Sequence, residues 1–108
     1  MEENAYDDKH LFKPMTDDYD LAEEAFKLAP KVKPTIGASP LRSITWEYDQ
    51  KMGAYGVHAI YKRHSGILIA YLTWCDTEQT AERLANELRT IVYARERLAG
   101  RMKGRDDE

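Results

Sequence analysis

The sequence predicts one α+β domain in the order α-β-β-β-α: a short helix, a three-stranded antiparallel meander and a long helix packed on the sheet. Two patterns predict this class. Between residues 43 and 75, apolar side chains alternate with polar ones or form runs of strand length separated by turn residues. From residue 77 onward they recur every three or four positions, the period of an amphipathic helix. A chain of 108 residues is long enough for one core and too short for two.

Charge and periodicity set the expected domain boundaries. Residues 1–15 are acidic and have no apolar period, so we expect a flexible arm there. Residues 16–100 form the expected folded domain. Residues 101–108 place three cations ahead of three anions and are expected to form a charged tail.

The first helix is expected over residues 17–29. Thr16, Asp17 and Asp18 offer oxygens that cap a helix start, and Pro30 ends the run. The expected apolar face consists of Tyr19, Ala22, Ala25, Phe26 and Ala29. Residues 31–40 follow with two prolines and a glycine, so we expect an extended connector rather than a central strand.

The three strands differ in how many of their faces are apolar. The first alternates Ile44, Trp46 and Tyr48 with polar residues, as a strand with one wet face does. In the second, one face is expected to carry Tyr55, Val57, Ala59 and Tyr61, and the other Gly56, His58, Ile60 and Lys62. The third, residues 67–74, is apolar on both faces, with Leu68, Ala70, Leu72 and Trp74 expected on one of them. A single helix layer covers one face, so residues 17–41 or another surface should cover the second, where we expect these four residues.

The last helix is expected over residues 77–99. Asp76 and Gln79 approximate a capping box at its start, and Gly100 is expected to end it. Its apolar stripe is wider than a coiled-coil seam, which favours packing on the sheet over a helix–helix dimer.

We find no residue pattern typical of an enzyme, a metal site or a bound cofactor. Cys75 stands at a strand-to-helix junction without a neighbouring base, so we expect a small core residue rather than a nucleophile. The spacing of His58 and His64 matches no common metal motif. We therefore expect a non-enzymatic protein, with His64 in a turn and His58 on the polar face of its strand.

Charge and apolar runs limit the expected location and partners. The net charge is −3, with −6 in residues 1–29 and +4 in residues 30–75. The longest apolar run, residues 66–72, is too short to cross a bilayer, and the first residues are too acidic for a signal peptide. With one cysteine, the chain makes no internal disulfide. We expect a cytoplasmic protein, in the host cell if a phage encodes it.

Two resemblances bear on function. The helix–three strands–helix order over about residues 17–99 resembles the double-stranded-RNA-binding domain, which relies on lysines at the start of its last helix. This chain has Asp76, Thr77 and Glu78 there, which would repel phosphate. Residues 57–94 resemble small phage and mobile-element proteins, which implies an anti-defence or anti-CRISPR-like inhibitor of a host machine.

The first functional hypothesis is a protein-binding module that acts as an inhibitor or accessory subunit of a larger complex. Acidic side chains would steer it toward a basic surface, such as the nucleic-acid groove of a host protein, and sheet aromatics would supply affinity. The candidate partner-binding residues are Asp17, Asp18, Asp20, Glu23, Glu24, Trp46, Tyr48, Tyr71 and Trp74. The sequence leaves a homodimer open.

The alternative hypothesis is a regulator that binds nucleic acid through the sheet or through basic residues. Basic residues near a helix C-terminus also stabilise the helix dipole, so a structural role competes with this one. The candidate residues are Lys62, Arg63, Arg89, Arg95, Arg97, Arg101, Lys103 and Arg105.

Overall fold

The computed structural model describes the backbone of residues 14–107 and the side chains of residues 14–99. Helix α1, Leu21–Leu28, runs into a 3-10 turn, Ala29–Lys31. The remaining elements are β1 Thr35–Ile36, β2 Ser39–Asp49, β3 Ala54–Arg63, β4 Gly66–Cys75 and helix α2 Glu78–Asp107. The α+β class and the long C-terminal helix are confirmed, but the antiparallel sheet has four strands instead of three.

The fourth strand lies in the segment expected to be an extended connector. Thr35 pairs with Pro40 and Ile36 with Ser39, across a tight turn in which Gly37 has a φ of 62°. Glycine adopts this left-handed conformation without steric cost. The prolines exclude a central strand but permit this two-residue pairing at the sheet edge.

The sheet is an antiparallel meander in the order β1-β2-β3-β4, and α2 covers one of its faces. The expected alternation along β3 is confirmed. Val57, Ala59 and Tyr61 are buried in the core beside α2, whereas His58 pairs with Tyr71 on the opposite face. We call these two sides the covered face and the outer face.

A β-bulge at Leu72 changes the expected face of β4. Val57 pairs with Thr73 and His58 pairs with Tyr71, so Leu72 is an extra residue between these pairs. Leu72 packs against the core with Leu68 and Ala70, so these three lie on the covered face and not on the second, open face where they were expected. Trp74, expected on the same face as Leu72, is separated from it and lies on the outer face beside Tyr71. Strict alternation cannot show such an inserted residue.

Helix α1 is shorter than expected and buries a different face. Its N-cap is Asp20, whose Oδ1 accepts a hydrogen bond from the Glu23 amide at 3.2 Å. The buried residues of α1 are Leu21, Ala25 and Leu28. Of the expected apolar face, Ala25 and Ala29 are buried, whereas Tyr19, Ala22 and Phe26 are exposed. The reason is that α1 packs on α2 rather than on the sheet, which sequence periodicity alone does not specify.

Helix α2 starts and ends differently from the expected helix over 77–99. Thr77 caps it, because its Oγ1 accepts from the Thr80 amide at 3.1 Å, so Asp76 lies one residue before the cap. Gly100 does not end the helix, whose backbone continues to Asp107. The first part of the expected stripe is confirmed as fully buried, at Ala81, Leu84, Ala85, Leu88 and Val92, whereas Leu98, expected further along it, is 57% exposed.

Met15 joins the sheet, although it was expected in the arm of residues 1–15. It forms a parallel bridge with Cys75 and is buried in the core. The rest of that expected arm, residues 1–13, lies outside the described residues. Within the described part of the chain, neither helix has the length and apolarity that a bilayer crossing requires.

Candidate functional site

The outer face of the sheet is an apolar surface that the described residues leave open. No helix lies over it among residues 14–107. Ile67 is 50% exposed, Ile69 37% and Tyr71 48%, and Ile60 and Trp74 are partly exposed beside them. Cross-strand pairing brings these residues together, since Ile60 lies opposite Ile69 and Lys62 opposite Ile67.

Tyr71 and Trp74 form a stacked pair on this face. Their ring centroids are 4.9 Å apart and their planes differ by 16°. The Leu72 bulge makes this contact possible, because without it residues three apart on a strand would lie on opposite faces. The rings lie over Gly56, where an added Cβ would stand 2.7 Å from Trp74 Cζ3 and 2.8 Å from Tyr71 Cε1. Glycine at position 56 therefore allows the two rings to approach the main chain of β3 closely.

His58 lies beneath the aromatic pair and is 2% exposed. Its Nδ1 is 2.9 Å from the main-chain oxygen of Gly56, and its ring meets Tyr71 edge-on at 5.1 Å between centroids. The side chain is thus on the expected face of its strand but is enclosed rather than solvated. These contacts give His58 a structural role under the stack.

The other two candidate aromatics lie on the opposite side of the sheet. Trp46 is partly buried on the covered face, and its Nε1 donates to Glu82 Oε1 on α2 at 2.7 Å. Tyr48 is 51% exposed and packs on Tyr55 with centroids 5.0 Å apart. The structure therefore brings together Tyr71 and Trp74 and separates them from Trp46 and Tyr48.

The candidate acidic residues divide into bonded and exposed side chains. Asp17 Oδ1 accepts from Thr80 Oγ1 at 2.8 Å and from Arg83 Nη1 at 3.3 Å, which ties the start of the described chain to α2. Asp20 caps α1. Glu23 and Glu24 lie 3.9 and 3.7 Å from Lys27 Nζ in exposed ion pairs that contribute little to stability. Asp18 is exposed.

An open cleft of about 590 Å³ lies at the start of α2. It is lined by Asp17, Glu78, Gln79, Glu82 and Arg83. Two of its carboxylates already accept hydrogen bonds, Asp17 from Thr80 and Glu82 from Trp46. With three carboxylates, one amide and one guanidinium in its lining, the cleft is an acidic surface.

Two of the candidate cations donate hydrogen bonds to main-chain oxygens of other segments. Arg89 Nε donates to the main-chain oxygen of Ile44 at 2.7 Å. Arg95 donates from Nη1 to the oxygen of Ala29 at 3.2 Å and from Nη2 to that of Val32 at 2.7 Å. Lys62, Arg63 and Arg97 are exposed. The side chains of Arg101, Lys103 and Arg105 lie outside the described residues.

Cys75 is a core residue, as expected. Its side chain is fully buried, and burial together with the negative charges of Asp76 and Asp17 raises the pKa of its thiol to about 12. A thiol held protonated in this way is a poor nucleophile and metal ligand. His64 is exposed in the turn after β3, also as expected. The described residues contain no cluster of three or more metal-binding side chains.

Ile67 and Ile69 are the main outer-face residues that sequence reasoning did not select. Their signal was the third strand with apolar residues on both faces, but the sequence reasoning assigned Leu68, Ala70 and Leu72 to the uncovered face instead. Comparison with protein-family models, curated proteins and solved structures found no match to this chain.

Proposed function

We propose that this chain is a non-enzymatic protein-binding module that acts as an inhibitor or accessory subunit of a larger complex, and that the outer face is its binding surface. The observation that supports the proposal is an apolar sheet face without a cover among the described residues, centred on Ile67, Ile69 and Tyr71. Contiguous exposed apolar surface of this kind marks binding sites more often than scattered single residues do.

The chemistry of the outer face fits a protein partner. Interfaces take most of their affinity from rigid aromatic and aliphatic side chains near their centre. The stack of Tyr71 on Trp74 is held against Gly56, so little side-chain entropy remains to be lost on binding. Lys62 stands at one end of this surface, opposite Ile67, and gives it a polar margin.

The exposed acidic residues would act on the rate of encounter rather than on the bound contacts. Asp18 and Glu23 are exposed, and Asp18 comes three residues after Met15, which joins the end of β4. A net charge of −3 adds to their field. Such charges speed association with a basic partner and lose this effect as salt rises.

The test is affinity capture from the native cell with matched variants of the full chain. The double variant Ile67→Ser with Ile69→Ser removes the apolar side chains of the outer face, and Phe26→Ser removes a 70% exposed apolar side chain from α1. We expect a partner retained by the wild type and by Phe26→Ser but lost by the double variant. Capture of the same partner by all three proteins would refute the outer face as the binding surface.

Nucleic-acid binding is the second candidate, and one observation favours it. Lys62 shares the outer face with the Tyr71–Trp74 stack, and aromatic rings beside a cation are how many proteins hold single strands. Arg89 and Arg95 are less available, because both donate to main-chain oxygens. A gel-shift assay at low salt separates the two functions: binding that weakens steeply with added salt supports nucleic acid, and its absence removes this candidate.

A further inference from the structure

The two long edge regions of the sheet are protected to different degrees. On the β2 side, β1 pairs with Ser39 and Pro40, and Arg89 donates to the main-chain oxygen of Ile44 further along the strand. The strand also carries Arg42 and Glu47. Charges, a proline and covering side chains are the usual devices that keep an edge strand from pairing with another chain.

The β4 side has almost none of these devices. From Gly66 to Cys75 the strand carries no charged residue and no proline. Within the described residues, Met15 bonds to one end of its free side: its amide donates to the Trp74 oxygen at 2.7 Å, and its oxygen accepts from the Asp76 amide at 3.0 Å. Residues 66–73 thus present a neutral edge whose outward main-chain groups can accept another strand.

We propose that two copies of this chain pair antiparallel through the free edges of their β4 strands and form a continuous eight-stranded sheet. The pairing would be centred on Ile69, near the middle of residues 66–73, so that Ile69 lies opposite Ile69 of the second copy and Ile67 lies opposite Tyr71. A two-fold interface must be complementary to itself, and a neutral strand satisfies this condition without self-repulsion. Ile67, Ile69 and Tyr71 of both copies would then form cross-strand apolar pairs on one outer face.

Charge complementarity fixes the antiparallel direction. The Gly66 end of β4 follows Lys62 and Arg63, which are exposed. The Cys75 end is followed by Asp76, and the Met15 bridge brings Asp17 to the same end. Antiparallel pairing places the basic end of one copy beside the acidic end of the other. Parallel pairing would place like charges together.

The same arrangement limits the assembly to two copies. Once the β4 edges are paired, the only edges left in the described sheet are those of β1 and β2, which Arg89 and the charged residues protect. A closed two-fold dimer is therefore favoured over an open fibre. This inference depends on the main-chain edge of β4 and not on the proposed partner, so either can fail alone.

Sedimentation velocity of the full chain over a range of concentrations tests the dimer. We expect reversible dimers, and Ile69→Lys should raise the dissociation constant by about tenfold or more, since it sets like charges close together at the two-fold axis. Phe26→Lys, at an exposed position far from β4 in the sequence, is the matched control and should leave the constant unchanged. A chain that stays monomeric at all concentrations overturns the proposal; residues 1–13 or another protein then cover the edge.

A charge swap tests the direction of pairing. Arg63→Glu and Asp76→Lys should each weaken the dimer, and the two changes together should restore it. Amide hydrogen exchange should show protection in residues 66–73 that rises with protein concentration. A dimer whose exchange does not change in β4, or that the double swap does not restore, contradicts the antiparallel β4 interface.

The double variant Ile67→Ser with Ile69→Ser separates this proposal from the proposed function, because it keeps the main chain of β4. If this variant still dimerises but no longer captures the partner, the dimer and the partner use different features of the strand.

Discussion

The two faces of the sheet are made from the same strands and have opposite surroundings. On the covered face, Val57, Ala59 and Tyr61 are at most 1% exposed beneath α2. On the outer face, Ile67 and Tyr71 keep about half of their surface in solvent. This difference shows that an apolar strand pattern predicts which faces of a strand need cover. It does not predict which macromolecule covers each face.

The polar groups of the two faces differ in the same way. On the covered face, the Tyr61 hydroxyl donates to the Lys33 oxygen at 2.8 Å and accepts from the Lys33 amide at 3.1 Å, which anchors a distant loop. On the outer face, His58 bonds to Gly56 only two residues away. The covered face is therefore joined to the rest of the fold, whereas the outer face is organised by contacts within the sheet.

The largest expected contrast comes from truncating one side chain on each side. Leu88→Ala removes a fully buried side chain of α2 and should cost about 2–5 kcal/mol of unfolding free energy, because a cavity remains. Ile69→Ala on the outer face should cost less than about 1 kcal/mol, because solvent already reaches the side chain. Chemical denaturation measures both. Equal losses would show that the outer face is covered in solution.

Gly56→Ala tests how firmly the outer-face stack is held. The new Cβ would meet Trp74 Cζ3 and Tyr71 Cε1 at distances no carbon pair tolerates, so the rings must move. We expect a loss of about 1–3 kcal/mol, as for overpacking, with a change in the aromatic circular dichroism. Ala59→Gly is the matched exchange on the covered face of the same strand and should lower stability without that spectral change. An unaltered spectrum in Gly56→Ala would mean that the rings are loosely placed.

The sequence predicted the elements that depend on local pattern. The alternation of Val57, Ala59 and Tyr61 and the core stripe of α2 both follow from periodicity, because every second or every third to fourth residue faces the same layer. The buried, unreactive Cys75 followed from the absence of a neighbouring base. The division of the candidate aromatics did not follow, since Trp46 and Trp74 occupy opposite faces only because of the Leu72 bulge.

Contacts between distant segments explain the other misses. The buried face of α1 is set by packing on α2, so Phe26 is exposed although it fits a helical stripe. Arg95, expected on a basic surface, instead donates to main-chain oxygens about 65 residues away in sequence. Residue spacing within one element cannot predict a contact at that separation. Both are cases in which tertiary contacts override a local pattern.

Arg95→Ala tests the hydrogen bonds that attach the α1 segment to α2. Its guanidinium satisfies the oxygens of Ala29 and Val32 at the end of the α1 segment, so its loss should cost about 1–3 kcal/mol. Arg97→Ala, an exposed change on the same helix, should stay within about 0.5 kcal/mol. Thermal unfolding compares the two. Equal effects would mean that solvent replaces the Arg95 contacts without cost.

The smallest expected effect is a pH dependence of the unfolding free energy caused by Cys75, the last residue of β4. It tests whether solvent is excluded from that end of the covered face. Burial and the charges of Asp76 and Asp17 raise the pKa of this thiol from 9.0 to about 12 in the folded chain. Below pH 9.0 the thiol is protonated in both states and adds no slope. Above it the unfolded chain loses the proton first, so stability falls as pH rises, by about 1 kcal/mol over the first pH unit. Cys75→Ala should remove that part of the alkaline decline, and an unchanged decline would show that the thiol ionises equally in both states.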